Sequence, residues 1–594
     1  MAVKPITTEF GHSTPPEGPH TITLHAAGWD TALRFRDGDM TILARIKSLY
    51  PRFAPFGLAR QLSAAIGQKL GVPDNTTGVL PFTDPAVFAM HREYALSGHR
   101  REHRLSGLGE LAFRVVDVHG VRLYCVVYPV AKTKGVVGVW QNAGVGISTR
   151  VAEELLPYVD DDFKVVEWSG DLDDVPPPTY LPECEAHDKL RERVSGLLHR
   201  APIAPEKVKV TPDDVYLYQT GMAAICRLNE VLVQRDPGTI LVLGSVFHNT
   251  FHLFEEAPSG MKHFGRCDAA SGVMDKVEEC LDAHYREGKT VSYVFLEFPS
   301  NPILVSADLK RLRQIADKYA FPVVIDDTIG SFCNIDVLPV ADLIITSLTK
   351  SFSGYADVMA GSVVLNPLSP FYPAVKPAFT TTFHNELFAG DAEKLLSNSA
   401  DYLPRSATLN RNAASLASYL SAQAADPRSP VSQVLYPATS DTRGNYDALR
   451  RPPTPDFTPG YGCLLSVDFE SLDAARAFYD NLQVHCGPHL GAHRTLAVPF
   501  NAMVLGADPE QAAYHAAYGA RPTQVRISVG LEEEEEVLAI AREALEKADE
   551  VHRTGKAAED GVKADEIVEK TAEVGASKGD VTTAAEGVAA NFEG

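Results

Sequence analysis

A single lysine follows an apolar run in the segment ADLIITSLTKSFSGYAD, residues 341–357. The run from Leu343 to Leu348 has the β-branched character of a buried strand, and Lys350 comes just after it, among hydroxyl side chains. A lysine amine can form a Schiff base with an aldehyde, and burial lowers its pKa as this reaction needs. An exposed lysine at a strand end is the simpler interpretation. The hydroxyl-rich surroundings favour a reactive amine at Lys350.

Polar residues also follow other predicted strands. Asp326 comes after FPVVI, and Gly221 opens a predicted helix after VYLYQ. A carboxylate can keep a pyridine ring protonated, and a helix N-terminus with a glycine can bind a phosphate, to which Ser347 and Thr349 would add hydroxyls. Taken singly, Asp326 is more often a helix cap, and Gly221 is as often an ordinary helix start as a phosphate site. Together with Lys350 they supply the contacts that pyridoxal phosphate (PLP) requires.

The elements that must position these residues alternate in type between about 185 and 400. Helical segments alternate with the predicted strands VYLYQ, TILVLGSVF, TVSYVFLEF, FPVVIDD, DLIITSLT and GSVVLN. This alternation predicts an α/β fold with a mostly parallel central sheet and helices on both faces. Ligands bind at the carboxyl ends of the strands in such sheets, which is where Lys350 and Asp326 lie in the sequence.

Composition limits the classes of function. The chain has 594 residues, and its 77 acidic and 55 basic residues give a net charge of −22, which argues against nucleic acid or an anionic membrane as the main partner. We find no signal segment and no apolar stretch long enough for a bilayer. The eight cysteines form no C-x-x-C pair, so we expect neither a metal site nor a disulfide framework. Scattered thiols of this kind predict a cytoplasmic protein.

Shifts in composition predict the domain organisation. The expected units are a flexible leader (1–20), an N-terminal α+β region (21–157), an acidic, proline-rich linker or insertion (158–184), a large PLP-binding domain (185–400), a smaller C-terminal α+β domain (401–553) and a disordered tail (554–594).

Five segments resemble one enzyme family in the order in which that family has them. They are YQTGMAAI, LEFPSNP, VVIDDTIGSF, SLTKSFSGYADVMAGSVVLNP and VRISVGLE. The chain thereby resembles the Cys/Met-metabolism PLP enzymes, and its N-terminal segments SLYPRFAPFGLARQLSAAIG and VVGVWQNAGVGISTRVAEELL resemble those of fungal cystathionine γ-synthases. The resemblance covers residues from about 20 to 550 and implies an aspartate-aminotransferase-like (fold type I) architecture.

The resemblance also implies a role for each matching residue. Lys350 would carry PLP as a Schiff base, and Asp326 would pair with its pyridinium nitrogen. The other implied contacts are Gly221, Met222, Ser347 and Thr349 to the phosphate, Asn301 beside the ring hydroxyl, Phe247 on the ring face, and Arg526 and Thr495 to the substrate. A bidentate contact from Arg526 suits the substrate α-carboxylate.

The implied reaction is a γ-replacement on an O-acylated homoserine. With L-cysteine as the nucleophile the product would be cystathionine, as in transsulfuration and methionine biosynthesis. The family also implies a homodimer or homotetramer, with active sites built at subunit interfaces.

Several positions depart from the family pattern. Phe247 stands where the family stacks a tyrosine, and Arg494, in HLGAHRT, replaces an acidic residue. The family also reaches a neighbouring subunit's phosphate with a Y-x-R motif; the segment Tyr180-Leu181-Pro182 lacks the arginine, and Arg150 is a weak replacement. Three hypotheses therefore stay open: cystathionine synthesis, lyase chemistry or substitution with another nucleophile such as an amine or carbon acid, and a non-catalytic paralogue.

Overall fold

The computed structural model describes residues 3–73, 76–506 and 509–576, and within these ranges the chain forms three β-sheets. The strands are β1 Thr77–Phe82, β2 Ala112–Val118, β3 Val121–Pro129, β4 Phe163–Val166, β5 Val215–Tyr218, β6 Thr239–Leu243, β7 Met261–Phe264, β8 Val291–Glu297, β9 Val323–Asp326, β10 Leu343–Thr346, β11 Gly361–Leu365, β12 Val431–Leu435, β13 Leu464–Phe469, β14 His485–Cys486, β15 Leu496–Val498 and β16 Val525–Ser528. The α-helices are α1 Trp29–Arg36, α2 Met40–Leu43, α3 Leu58–Lys69, α4 Val87–Leu96, α5 Thr133–Val136, α6 Thr149–Leu155, α7 Glu185–Leu198, α8 Gly221–Arg235, α9 His248–Glu255, α10 Val273–Arg286, α11 Leu309–Tyr319, α12 Tyr372–Thr382, α13 Ala389–Asn398, α14 Tyr402–Ala424, α15 Arg443–Asp447, α16 Leu472–Asn481, α17 Pro509–Ala516 and α18 Glu534–Ala576.

The central sheet has the strand order β5-β11-β10-β9-β8-β6-β7. The pairs from β10 through β9, β8 and β6 to β7 are parallel, and β11 runs antiparallel to both β5 and β10. The predicted mostly parallel sheet is therefore confirmed, and β7 is a strand that the sequence analysis did not include. Every residue of β8, β9 and β10 is buried, as expected for strands covered on both faces.

The smaller C-terminal domain contains the sheet β12-β13-β16-β15-β14. Its pairs are antiparallel except for β14 with β15. The side chains of α14, α16 and α18 share one apolar core with this sheet, including Leu416, Phe478, Ile527 and Leu545. Because Arg526 lies on β16, this domain carries one of the predicted site residues.

The N-terminal α+β region has an antiparallel sheet in the order β1-β3-β2-β4. Strand β4 lies inside the predicted linker 158–184 and pairs with β2, so part of that segment belongs to the sheet. Its acidic and proline-rich composition obscured a short edge strand, FKVV. Residues 22–29 lie outside this sheet and contact later parts of the chain. The N–H of Ile22 donates to Ala356 O at 2.9 Å, and the N–H of Trp29 donates to Asp480 Oδ1 at 2.7 Å.

Both predicted terminal segments differ from expectation where the structure describes them. Part of the leader is packed, because Thr14 is 2% exposed and its N–H donates to the hydroxyl of Thr23 at 3.0 Å. The start of the predicted tail is helical, because α18 continues to Ala576 through a sequence rich in the strong helix formers Ala, Glu and Lys. Residues 577–594 lie outside the described residues. Neither α18 nor any other described helix is long and apolar enough to span a membrane.

A buried charge network joins the N-terminal region to helix α8. Arg227 of α8 pairs with Asp84, which follows β1, and its Nη2 lies 3.2 Å from Oε2 of Glu386. Asp84 and Glu386 are 4% and 4% exposed. Burial would raise the pKa of Asp84, but the charge of Arg227 holds it well below its usual range. Since α8 begins at the predicted phosphate site, this network positions the helix.

We predict that Arg227→Ala destabilises the protein by about 3–5 kcal/mol, because two buried carboxylates lose their cation. Urea unfolding measures the change. Arg428→Ala is the matched control, since its ion pair with Asp426 is exposed and screened, and we expect little effect from it. A loss for Arg227→Ala no larger than that of the control would show that the network does not stabilise the fold.

Candidate active site

The carboxyl edge of the central sheet borders a small cavity. The predicted site residues that line it are Gly221, Met222, Phe247, Asn301, Asp326, Ser347, Lys350 and Arg526. The other lining residues are Tyr50, Arg52, Ile225, Thr250, Glu297, Thr328, Ile329, Pro488 and Leu490. The structure thus brings most of the predicted residues together and adds residues from the N-terminal region.

Lys350 lies in the turn that follows β10. Its Nζ is 3.5 Å from Nδ1 of His489 and 5.0 Å from the centre of the Tyr50 ring. Burial lowers the pKa of Lys350 below its ordinary value, and the charges of Arg52 and Arg526 lower it further. A lower pKa leaves more of the amine neutral, which is the form that attacks a carbonyl carbon.

Asp326 ends β9 and has one hydrogen bond to a backbone donor. Its Oδ1 accepts from the N–H of Thr328 at 2.9 Å, and burial raises its pKa to about 6. The neighbouring Asp327 does not line the cavity, because its carboxylate accepts from the hydroxyl of Thr346 at 2.6 Å. A cation beside Asp326, such as a protonated pyridine nitrogen, would favour its charged form.

The N-terminus of α8 forms one wall of the cavity. Thr220 caps this helix, with its hydroxyl accepting from the N–H of Ala223 at 2.9 Å. A Cβ at Gly221 would lie 2.8 Å from Cβ of Ser347, so glycine allows the helix to meet the turn after β10. The result is a helix N-terminus aimed at a site for an anion. Thr349 does not line the cavity, because its hydroxyl donates to Ala360 O at 3.1 Å.

Arg52 adds a buried cation to the same wall. Only 3% of the residue is exposed, and its Nη1 donates to Gln141 O at 2.6 Å and to Asn249 Oδ1 at 3.0 Å. Its Nη2 is buried with no hydrogen-bond partner in the described part of the chain. The guanidinium carbon is 5.1 Å from the centre of the Phe247 ring. A buried, unpartnered donor on a cation calls for an anion.

The sequence analysis missed Arg52 although its signal was present. Tyr50-Pro51-Arg52 is a Y-x-R motif. Tyr50 and Arg52 line the cavity of their own chain, whereas the family's motif reaches a neighbouring subunit. Tyr180 and Arg150 are the residues that the sequence suggested for this motif. Tyr180 is 50% exposed, and Nη1 of Arg150 lies 2.9 Å from Oδ1 of Asp391, so neither lines the cavity.

Arg526 enters the cavity from β16. Its Nη1 donates to Oδ1 of Asn301 at 3.1 Å, and its Nη2 donates to the carbonyl of Pro488. Burial lowers its pKa to about 9, so the guanidinium remains charged at neutral pH. The guanidinium carbon also lies 4.2 Å from the centre of the Phe500 ring. The structure therefore presents a fixed cation to any carboxylate in the cavity.

Two more buried residues, His489 and Glu297, lie close to site residues, and one predicted residue, Thr495, lies outside the cavity lining. His489, which the sequence analysis quoted but did not select, is 5% exposed, and burial holds its pKa well below its usual range. Glu297 Oε1 accepts from the N–H of Phe247 at 2.5 Å, and burial raises its pKa. Thr495, a predicted substrate contact, lies outside the cavity lining, and its hydroxyl donates to Oε2 of Glu532 at 2.7 Å.

The donor set fits PLP. The free Nη2 of Arg52 and the N-terminus of α8 suit a phosphate dianion, and the buried carboxylate of Asp326 suits a pyridinium nitrogen. The amine of Lys350, with its lowered pKa, suits an aldehyde. Phe247 lines the same cavity and provides an aromatic face.

Comparison with known proteins also indicates a PLP-dependent enzyme. A sequence model described as the Cys/Met metabolism PLP-dependent enzyme family matches residues 210–546. "Alanine racemase ungC" of Aspergillus violaceofuscus is 34% identical over 443 residues, covering 72% of this chain and 74% of that protein. "Cystathionine gamma-synthase-like protein ankD" of Aspergillus thermomutatus is 32% identical over 546 residues, covering 89% of this chain and 92% of that protein.

A solved structure shares the fold. It is the cystathionine gamma synthase of Xanthomonas oryzae pv. oryzae in complex with aminoacrylate and cysteine. The TM-score is 0.50 at 23% identity, and the match covers 62% of this chain and 87% of that one. The predicted fold class is confirmed, and the predicted family resemblance and cofactor are confirmed by the matching sequence model.

We predict that Arg52→Gln weakens PLP binding about 10- to 100-fold, because a charge-assisted contact to a phosphate is lost. Titration of the apoprotein with PLP, followed by quenching of intrinsic fluorescence, measures the dissociation constant. Arg60→Gln makes the same change at an exposed arginine of the same region and is the control. Equal affinity of the two variants would remove Arg52 from the phosphate site.

Proposed function

The chain belongs to the Cys/Met metabolism PLP-dependent enzyme family, and on that premise we propose that it catalyses γ-replacement on an O-acylated homoserine. The observation that carries the proposal is that Lys350, Asp326, Arg52 and Arg526 line one buried cavity. An amine, a carboxylate and two guanidiniums in this arrangement match an amino acid substrate bound next to PLP. The retained set argues against a non-catalytic paralogue.

The protein's own residues divide the work as follows. When bound, PLP withdraws electrons from the bond to the substrate's Cα proton. Arg526 holds the substrate α-carboxylate and thereby orients that proton. The amine of Lys350 takes up the proton from Cα and returns protons at neighbouring carbons. Asp326 keeps a negative charge beside the cofactor ring, and Arg52 with the α8 N-terminus anchors the phosphate.

Tyr50 supplies a hydroxyl that Phe247 lacks. Burial would raise the pKa of Tyr50, but the charges of Lys350 and Arg52 together bring it below its ordinary value. A phenol with a lowered pKa near Lys350 suits proton transfer. We therefore assign to Tyr50, contributed by the N-terminal region, an acid–base role that the family pattern gives to a residue at position 247.

The bond changes at Cγ require no oxidant or metal. The acyl group leaves Cγ as a carboxylate, and the nucleophile forms a new bond to Cγ and loses its proton to solvent. With L-cysteine the product is cystathionine. L-cysteine as the nucleophile, a homodimeric or homotetrameric assembly and a cytoplasmic location stay predictions.

We predict that O-acetylhomoserine or O-succinylhomoserine is consumed in the presence of a thiol, with release of the free acid and formation of a thioether detected by mass spectrometry. Lys350→Ala should reduce the rate by a factor of about 10²–10⁴, because the base at Cα is gone. The control is Lys310→Ala at an exposed lysine.

The other outcomes separate the alternatives. Release of a 2-oxo acid without incorporation of the thiol would indicate a lyase. Failure of the wild-type protein, loaded with PLP, to consume either donor would refute the proposed γ-replacement.

A further inference from the structure

A second, larger cavity adjoins the Lys350 site. Its volume is about 360 Å³, within the range of ligand pockets, and it lies between residues 22–53 and residues 487–504. The two cavities share the lining residues Tyr50, Arg52, Phe247, Lys350 and Pro488. A molecule in the second cavity would therefore be next to the reacting amine, which is where a second substrate must approach.

The lining of this cavity is mostly apolar. It includes Leu24, Phe35, Leu49, Phe500 and Met503, drawn from the N-terminal segment and from the C-terminal domain. Apolar surface of this extent stabilises a bound hydrocarbon chain in proportion to the area that it removes from water. Cysteine, with one side-chain carbon, would leave most of this surface without a partner.

The charged groups of the lining have one sign. Arg36, Arg52 and Lys350 are basic, and among the residues that the structure describes no aspartate or glutamate lines this cavity. His248 and His489 also line it, and burial holds the pKa of each well below its usual range, so both are neutral. An α-ammonium group placed here would lose its water without gaining a carboxylate, which is costly.

Two carboxylates are buried nearby, but neither would pair with an ammonium group in the second cavity. Glu297 and Asp326 line only the Lys350 cavity. Glu297 accepts from the N–H of Phe247, and Asp326 accepts from the N–H of Thr328. They lie where the first amino acid and the cofactor are proposed to bind, and the second cavity has no equivalent.

We propose that the nucleophile is a molecule with an apolar chain longer than that of cysteine and without an ammonium group, bound in this second cavity. The inference rests on the proposed γ-replacement and narrows its second substrate. The nucleophilic atom forms the bond to Cγ, the acyl group leaves as a carboxylate, and the proton of the nucleophile passes to solvent. A carboxylate on the nucleophile would lie near Arg36, whose guanidinium also pairs with Asp37.

The first test compares thiols that differ in one feature. The donor is the O-acylhomoserine that the protein consumes, and the nucleophiles are L-cysteine, 3-mercaptopropionate, 1-butanethiol and 1-hexanethiol. 3-Mercaptopropionate is cysteine without its ammonium group, and we expect its kcat/KM to exceed that of cysteine about tenfold or more. We expect a rise of up to about fourfold per added methylene between the two alkanethiols. Preference for cysteine over 3-mercaptopropionate would overturn the inference.

The second test needs no turnover. Hexanoate is titrated calorimetrically into the PLP-loaded protein, where we expect binding that is lost in Met503→Trp and in Leu49→Trp, because both fill the cavity. Met40→Trp is the matched control, since Met40 is 72% exposed, and it should bind hexanoate normally. Near-ultraviolet circular dichroism checks that the variants are folded.

Different results would refute the inference about the second cavity and the proposed γ-replacement. If no donor is consumed with any thiol, the proposed γ-replacement fails. The hexanoate titration alone then shows whether the second cavity binds an apolar molecule. Absence of hexanoate binding, or binding that neither filling variant weakens, would overturn the inference even if γ-replacement with cysteine were efficient.

Discussion

Buried positive charge is the constraint on which this structure depends. Lys350, Arg52 and Arg526 line one small cavity, and the carboxylates present there, Asp326 and Glu297, are themselves buried with raised pKa values. Buried guanidiniums without counter-charges are unfavourable. A phosphate dianion against Arg52 and a substrate carboxylate against Arg526 balance them. The sheet, the N-terminus of α8 and the close contact at Gly221 all serve to hold these charges in place.

The N-terminal region takes part in the same chemistry. Residues 50–52 supply a phenol and a guanidinium to the Lys350 cavity, while residues 22–49 form part of the lining of the apolar cavity beside it. The region is held by specific contacts, from the Arg227 network at α8 to the hydrogen bond between Trp29 and Asp480. The N-terminal region lies outside residues 210–546, which the family model matches. In our proposals this one region contributes to cofactor binding, to acid–base chemistry and to the choice of nucleophile.

The sequence predicted those parts of the site that depend on local pattern. Lys350 and Asp326 could be placed because each follows a strand of a parallel sheet, and such strand ends meet at one edge. Arg52 was missed although Tyr50-Pro51-Arg52 matches the Y-x-R motif, because the sequence does not show that this segment, far from Lys350 along the chain, folds back onto it. The family resemblance implied that Thr495 contacts the substrate, but its hydroxyl donates to Glu532 and the residue lies outside the cavity lining. The leader and the start of the tail were misjudged because polar composition does not reveal a packed contact or a helix extended from α18.

The most direct test of the account is the visible absorption spectrum of the purified protein with PLP, before and after borohydride, followed by peptide mapping. The protein should be yellow, borohydride should remove the colour, and the reduced cofactor should be fixed to the peptide that contains Lys350. In Lys350→Ala no peptide should be labelled. A wild-type protein that stays colourless with added PLP, or that carries the label on another lysine, would contradict the central claim that Lys350 holds the cofactor.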